Sequence, residues 1–306
     1  MKSALIIRGG AIGDFILALP AVHALRDEHP GMRLEIMGYS HIASLACERF
    51  YANAIRTMEQ RAVAIFFAPK AELDPGLCRY FSSFEMVVSY LYDPDSVFTN
   101  NLKRAGVTNL IVADGRPSGT AHATDFLAQW LPRAGVAPHI GPPRVYPNDA
   151  DLEEAARHFP GLGKSMVAIH LGSGSPKKNW PTSRFLDLAQ WLKGRGLGVL
   201  VVQGPADSEA QGNFWRDPAS ANCIRCHGLS LPVLAAALKQ CAVFVGHDSG
   251  ISHLAAAVGT PVVAIFGPTD PRQWAPLGKK VAVLHRGADV ASVRIEDVQQ
   301  AVAARL

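Results

Sequence analysis

Apolar residues along this chain fall into short continuous runs, separated by longer stretches in which they recur every three or four positions. Residues 4–7 form the first run. Gly9-Gly10-Ala11-Ile12-Gly13 interrupts it, and Asp14 opens an amphipathic stretch reaching about His29, a strand, glycine turn and helix in succession. Residues 34–37 predict a second strand, 40–51 a helix, and 86–90 and 110–112 further strands. The rhythm restarts with predicted strands at 167–170, 198–202, 243–245 and 262–266, with helices between them. Strands that alternate with helices pair in parallel through helical crossovers, so the expected class is α/β.

Two such domains are expected in tandem. The chain has 306 residues, more than the usual span of about 100–200 residues per domain. The stretch His139-Ile140-Gly141-Pro142-Pro143-Arg144-Val145-Tyr146 is proline-rich and aperiodic, as interdomain connections tend to be. It divides the sequence into residues 1–145 and 146–306. Doubly wound sheets bind ligands beyond the carboxyl ends of their strands, which directs attention to the loops that follow each apolar run.

Composition narrows the ligand. Apolar residues make up 48% and charged residues 18%, which excludes a disordered or fibrous chain. The net charge is only +4 and its Lys and Arg are scattered, so no nucleic-acid partner is expected. A mildly basic surface suits anionic ligands or a membrane face. Five cysteines, Cys47, Cys78, Cys223, Cys226 and Cys241, are an odd set in a long chain and point to a reducing cytoplasm rather than a disulfide framework. No signal-peptide pattern and no run of 18 apolar residues is present.

Several loops carry candidate chemistry. At Phe244-Val245-Gly246-His247-Asp248-Ser249-Gly250-Ile251-Ser252-His253 a buried strand runs through a polar turn into an Ala-rich helix. The amides of Ser249, Gly250 and Ile251, with the positive end of the helix dipole, favour a phosphate there. Plain N-capping by Asp248 is the simpler alternative, though it leaves His253, one turn on, unexplained. His170-Leu171-Gly172-Ser173-Gly174-Ser175-Pro176-Lys177-Lys178-Asn179-Trp180-Pro181 is a Gly/Ser loop with two lysines before a helix at Thr182; small residues can wrap phosphate oxygens while a lysine neutralises them, but the order is not that of a Walker loop. Asp14, at a helix start, would be ionised and available as a base, or would simply cap.

Three further patterns carry less weight. Cys223-Ile224-Arg225-Cys226-His227 matches a c-type haem attachment string yet lies on or beside a strand. Asp93-Pro94-Asp95 has the form of a manganese-binding Asp-x-Asp, but Asp and Pro are ordinary turn residues. Gly9-Gly10-Ala11-Ile12-Gly13 is not a dinucleotide fingerprint, and no acidic residue closes the second strand, which argues against a nicotinamide dehydrogenase.

Taken together, Arg8 to Asp14 with Leu19-Pro20-Ala21, the Gly-Ser-Gly-Ser-x-Lys-Lys-Asn-Trp-Pro loop, Asp248-Ser249-Gly250-Ile251-Ser252-His253 and Gly259-Thr260-Pro261 resemble glycosyltransferase family 9, which holds the ADP-heptose lipopolysaccharide heptosyltransferases. The four motifs span nearly the whole chain in order, while residues 50–145 carry none. The resemblance implies a GT-B fold, two Rossmann-like doubly wound domains facing across a cleft, with the acceptor on the first and the nucleotide-sugar on the second. It implies an inverting, metal-independent transfer to a glycolipid or saccharide acceptor, with no cofactor, in a cytoplasmic protein that associates peripherally with the membrane. By the same resemblance Asp14 is the general base, Lys178 and Ser173 contact the diphosphate, and Asp248, Ser249, Gly250, Ile251 and His253 form the donor-binding turn. Glu209, or Asp207 beside it, would bind the ribose, and residues 293–306 form a terminal helix. A GT-B-like sugar-nucleotide epimerase or hydrolase, and a non-catalytic nucleotide-sugar-binding protein, are the alternatives.

Overall fold

The computed structural model describes residues 1–138, 140–204 and 208–306, with the backbone alone for 208–211. The chain divides into two compact units, Met1–Gly141 and Pro142–Leu306.

The first unit is built on a five-stranded sheet in the order β3-β2-β1-β4-β5. Its strands are β1 (Ser3–Ile7), β2 (Arg33–Gly38), β3 (Ala54–Thr57), β4 (Met86–Ser89) and β5 (Leu110–Val112). Every pairing is parallel. The middle strands β1 and β4 are buried almost throughout, as strands covered by helices on both faces must be.

The second unit holds a six-stranded sheet in the order β11-β10-β9-β6-β7-β8, again wholly parallel. Its strands are β6 (Met166–His170), β7 (Gly198–Val202), β8 (Ile224–Cys226), β9 (Val243–His247), β10 (Val262–Phe266) and β11 (Val281–His285). Its core joins Val167, Ile169, Val243, Val245, Val263 and Ile265 to Trp180, Phe185 and Leu188 above them.

Each sheet has one point at which the chain reverses its direction of winding. In the first unit it proceeds from β1 outward to β3 and returns to β4 on the other side of β1; in the second it runs from β6 to β8 and returns to β9 beside β6. The loops leaving β1 and β4 therefore diverge, as do those leaving β6 and β9, and each pair opens a crevice at the carboxyl ends of the strands. The stretches that carry Asp14, Lys178 and Asp248 leave β1, β6 and β9 at these two places.

Several elements differ from the sequence expectation. Helix Ile12–Glu28 starts two residues before Asp14 and is buried continuously from Phe15 to Val22, so it is an enclosed helix rather than an amphipathic one. The helix expected over 40–51 stops at Ala43. There Arg49 Nη1 donates to the carbonyls of Ser44 at 2.9 Å and Cys47 at 2.7 Å, Glu48 takes a left-handed φ of 53°, and Cys47 bridges Ala52; the chain leaves the helical path before a second turn can form. β3, β8 and β11, all at sheet edges, are not among the strands that the apolar runs predict.

Candidate functional site

At the first switch point Arg8 follows directly on β1. A charged residue is rarely buried unless paired, and Arg8 is only 5% exposed. Its guanidinium donates through Nε and Nη2 to the carbonyl of Asp14, at 3.2 and 3.1 Å, and through Nη1 to that of Gly115 at 3.2 Å. It also lies 5.4 Å from the centre of the Tyr90 ring at the end of β4, so one side chain ties both strands of the switch point together. Burial lowers the Arg8 pKa from its ordinary value, opposed by the charge of Asp14 and by Tyr90, while burial pushes the Tyr90 phenol up.

Asp14 is the third residue of its helix, and its Oδ2 accepts the Ala11 N–H at 2.9 Å. Its Oδ1 sits 3.8 Å from Arg8 Nη2 and the side chain is 37% exposed. The capping role and a basic role are thus compatible: one carboxylate oxygen is held while the group stays open to solvent. Gly10 makes this possible. Its φ is +100°, and a Cβ there would meet Asp14 Oδ2 at 2.8 Å.

At the second switch point the loop after β6 and the turn after β9 meet through Lys178 Nζ and Asp248 Oδ2, 2.6 Å apart. Lys178 ends a short 3₁₀ turn, Pro176–Lys178. Asp248 is not the helix cap. Ser249 occupies that position, extended at φ −151° and ψ 160°, and no side chain caps helix Gly250–Ala257. Among the described residues, no side chain caps the Gly250 and Ile251 amides at this helix start, which are donors that the helix itself cannot satisfy. The Ser249 hydroxyl lies 3.4 Å from both His170 Nδ1 and Ser252 Oγ. Gly250 and Ile251 are half-buried at the helix start, and His253 is 5% exposed within it.

Ser173 serves the loop itself. Its Oγ is 2.7 Å from the Ser175 carbonyl and from Asn179 Oδ1, and it accepts the Ser175 N–H at 3.3 Å. A hydroxyl has one proton, so these contacts use its capacity to shape the loop. Asp207 and the side chain of Glu209 lie outside the described residues.

Two residues escape the sequence reading. Arg8 stands in a quoted motif, and the signal for its role is the charge placed immediately after a buried strand. His247 closes β9 and is fully buried; nothing in its spacing announces a function, because its partners lie in a different segment. Trp180 also does more than fill the core. Its Nε1 donates to the Val293 carbonyl at 2.8 Å, and Arg184 Nη1 donates to Ala291 O at 2.6 Å and to Val293 O. Together they fasten the lysine loop to the segment leading into helix Ile295–Ala303.

The remaining patterns resolve structurally. Asp93 accepts the N–H groups of Phe98 and Thr99 at 3.2 and 2.8 Å, capping helix Val97–Arg104. Burial would raise its pKa, but these bonds bring it below the ordinary value. Cys226 is buried in β8, which pushes its thiol up to about 12, the environment of an inert core cysteine rather than an attachment site.

Comparison with known proteins agrees with this geometry. The chain is 22% identical over 294 residues to lipopolysaccharide heptosyltransferase 3 of Escherichia coli, covering 86% of this chain and 83% of that one. Among solved structures, a family 9 glycosyltransferase from Veillonella parvula superposes with a TM-score of 0.83 at 19% identity, covering 99% of this chain and 96% of the other. E. coli ADP-heptose heptosyltransferase II superposes with a TM-score of 0.80 at 17% identity, covering 99% and 98%. At these identities the superpositions establish the fold, which is GT-B. Residues 137–302, more than half of the chain, match the family described as Glycosyltransferase family 9 (heptosyltransferase), and the chain therefore belongs to that family and is a glycosyltransferase.

Proposed function

We propose that this protein transfers a heptose from ADP-heptose, or a related sugar from a similar nucleotide-sugar, to a lipopolysaccharide-core or other glycolipid or saccharide acceptor. The transfer inverts the anomeric carbon and uses no metal. The second unit binds the donor and the first the acceptor. Asp14 removes the proton of an acceptor hydroxyl as its oxygen attacks the anomeric carbon; the bond from that carbon to the diphosphate breaks, and its electron pair leaves with the phosphate oxygen. Lys178 and the amides of Gly250 and Ile251 take up that charge. Ser173 shapes the phosphate loop, Asp248 with Ser249, Ile251 and His253 lines the donor turn, and Glu209 or Asp207 holds the ribose.

The observation that carries this reading is the Lys178–Asp248 pair, 2.6 Å across the β6/β9 switch point beside an uncapped helix start. A cation and free amides at that point suit an anion joined to a sugar. The names of the E. coli relative and of heptosyltransferase II support a heptose donor. Among the described residues no helix is long and apolar enough to cross a membrane; in the proposed reaction a lipid acceptor is met by peripheral association at the cytoplasmic face.

The test joins a donor screen to one substitution. A bound donor raises the melting temperature by mass action, so ADP-heptose is expected to do so where GDP- and UDP-sugars do not. Asp14→Asn is expected to lower transfer roughly 10²- to 10⁴-fold while ADP binding persists. Unchanged transfer in Asp14→Asn would remove Asp14 as the base, a shift with non-ADP donors alone would remove the heptose assignment, and donor turnover without acceptor would mark an epimerase or hydrolase.

A further inference from the structure

The loop between Gly172 and Trp180 carries both Ser173 and Lys178, and its two ends are held by a single imidazole. The main-chain N–H of Trp180 lies 2.7 Å from His247 Nε2, and His247 Nδ1 lies 3.2 Å from the carbonyl of Gly172. A backbone N–H can only donate and a carbonyl can only accept. Nε2 therefore carries the lone pair and Nδ1 the proton, which fixes the ring as its neutral Nδ1–H tautomer. The ring is fully buried, and Phe185 meets it edge-on at 5.3 Å between centroids with an interplanar angle of 88°. Trp180 meets the same Phe185 at 5.1 Å and 84°. His247 is also the last residue of β9, and its neighbour in sequence is Asp248, the partner of Lys178.

We infer that His247 is the positioning residue of the donor site: it pins both feet of the lysine loop to the strand that bears Asp248 and the helix start. The inference deepens the proposed function and rests on it, since it assumes that this loop grips the diphosphate. Lys178 has a long, flexible side chain, and its reach toward a phosphate is set by where its backbone is held. Loss of the imidazole leaves a buried N–H and a buried C=O unsatisfied, and the loop can satisfy them only by moving. His247 itself makes no contact with substrate in this account; it acts through the loop.

Binding of ADP by isothermal titration and steady-state transfer tested with His247→Phe, His247→Gln, His247→Asn and Lys178→Ala decide the matter. Phe keeps the ring volume and neither hydrogen bond. Gln places its amide near Nε2 and can accept from Trp180, whereas Asn places its amide near Nδ1 and can donate to Gly172. His247→Phe is expected to weaken ADP binding by roughly tenfold or more, as the loss of buried hydrogen bonds implies. It should raise the donor KM and leave the acceptor KM unchanged, and Gln and Asn should each recover part of the loss. If His247→Phe does not fold, the two amide variants carry the test, each expected to weaken ADP severalfold. Wild-type ADP affinity in His247→Phe, or in both amide variants, together with weakened binding in Lys178→Ala, would overturn the positioning role and leave the donor site standing. Wild-type affinity in Lys178→Ala as well would mean that the loop is not the donor site at all.

Discussion

Replacing Gly10 by alanine isolates the placement of one carboxylate. Two costs arise from different features. The φ of +100° is unfavourable for any residue with a side chain, at about 1–3 kcal/mol. The new Cβ would also stand 2.8 Å from Asp14 Oδ2, so the carboxylate must retreat by roughly half an ångström, breaking its bond to the Ala11 N–H. A misplacement of about 1 Å can cost about 10²-fold in rate, so a shift of half that size is expected to lower kcat by roughly tenfold. Gly135→Ala is the control. Its φ is +74° with no heavy atom within 4 Å of the added Cβ, so it bears the backbone cost and displaces nothing near Asp14. Urea unfolding should show comparable losses of stability in the two variants, whereas transfer at saturating donor and acceptor should fall only in Gly10→Ala. Equal kcat in Gly10→Ala, Gly135→Ala and the unaltered protein would refute the argument that the position of the Asp14 carboxylate limits the reaction.

Two further outcomes follow from contacts in the second unit. Trp180→Phe removes the donor to Val293 O and shrinks a buried core side chain, and should cost about 1–3 kcal/mol, with faster hydrogen exchange in helix Ile295–Ala303; unaltered exchange there would show that the clip does not hold the helix. Asp297 is held down to about 2, chiefly by hydrogen bonds from Arg294 and Arg286, below the unfolded value of about 3.9. A folded-state pKa lowered in this way stabilises the protein above about pH 4, and the contribution is lost as pH falls toward 2. Asp297→Asn should therefore flatten the decline of the urea midpoint below about pH 4, and an unchanged decline would contradict the assignment.

The interior of both sheets was legible because strands covered on both faces must be largely apolar, as residues 86–88, 243–245 and 262–266 are apolar and buried without exception. Edge strands have no such constraint. β3 is half-buried at all four positions, so its run need not stand out from a loop; β11 mixes half-buried and exposed positions, although Val281-Ala282-Val283-Leu284 is itself a short apolar run. The early end of the helix at Ser40–Ala43 eluded pattern reading because the residues that end it act through a left-handed backbone and an arginine bonding carbonyls, neither of which alters hydrophobic periodicity. In the candidate site, Lys178 and Asp248 were each visible within a motif, but their mutual contact depends on β6 and β9 being neighbours. The role of His247 depends on the same adjacency, and therefore on topology rather than on any local spacing.

That adjacency also sets an order of events during synthesis. β6 pairs with β9, so that Val167 finds Val243 only after β7 and β8 have been made. Contacts between residues so distant in sequence form slowly, because the intervening loop must close before they are rewarded. A ribosome that has released residues 142–240 has produced the lysine loop but not the imidazole that holds it or the helix that faces it. Donor binding should therefore arise abruptly and late in translation, once β9 is inserted, and a chain arrested before that point should be a prime client for chaperones, with an unpaired edge on β6.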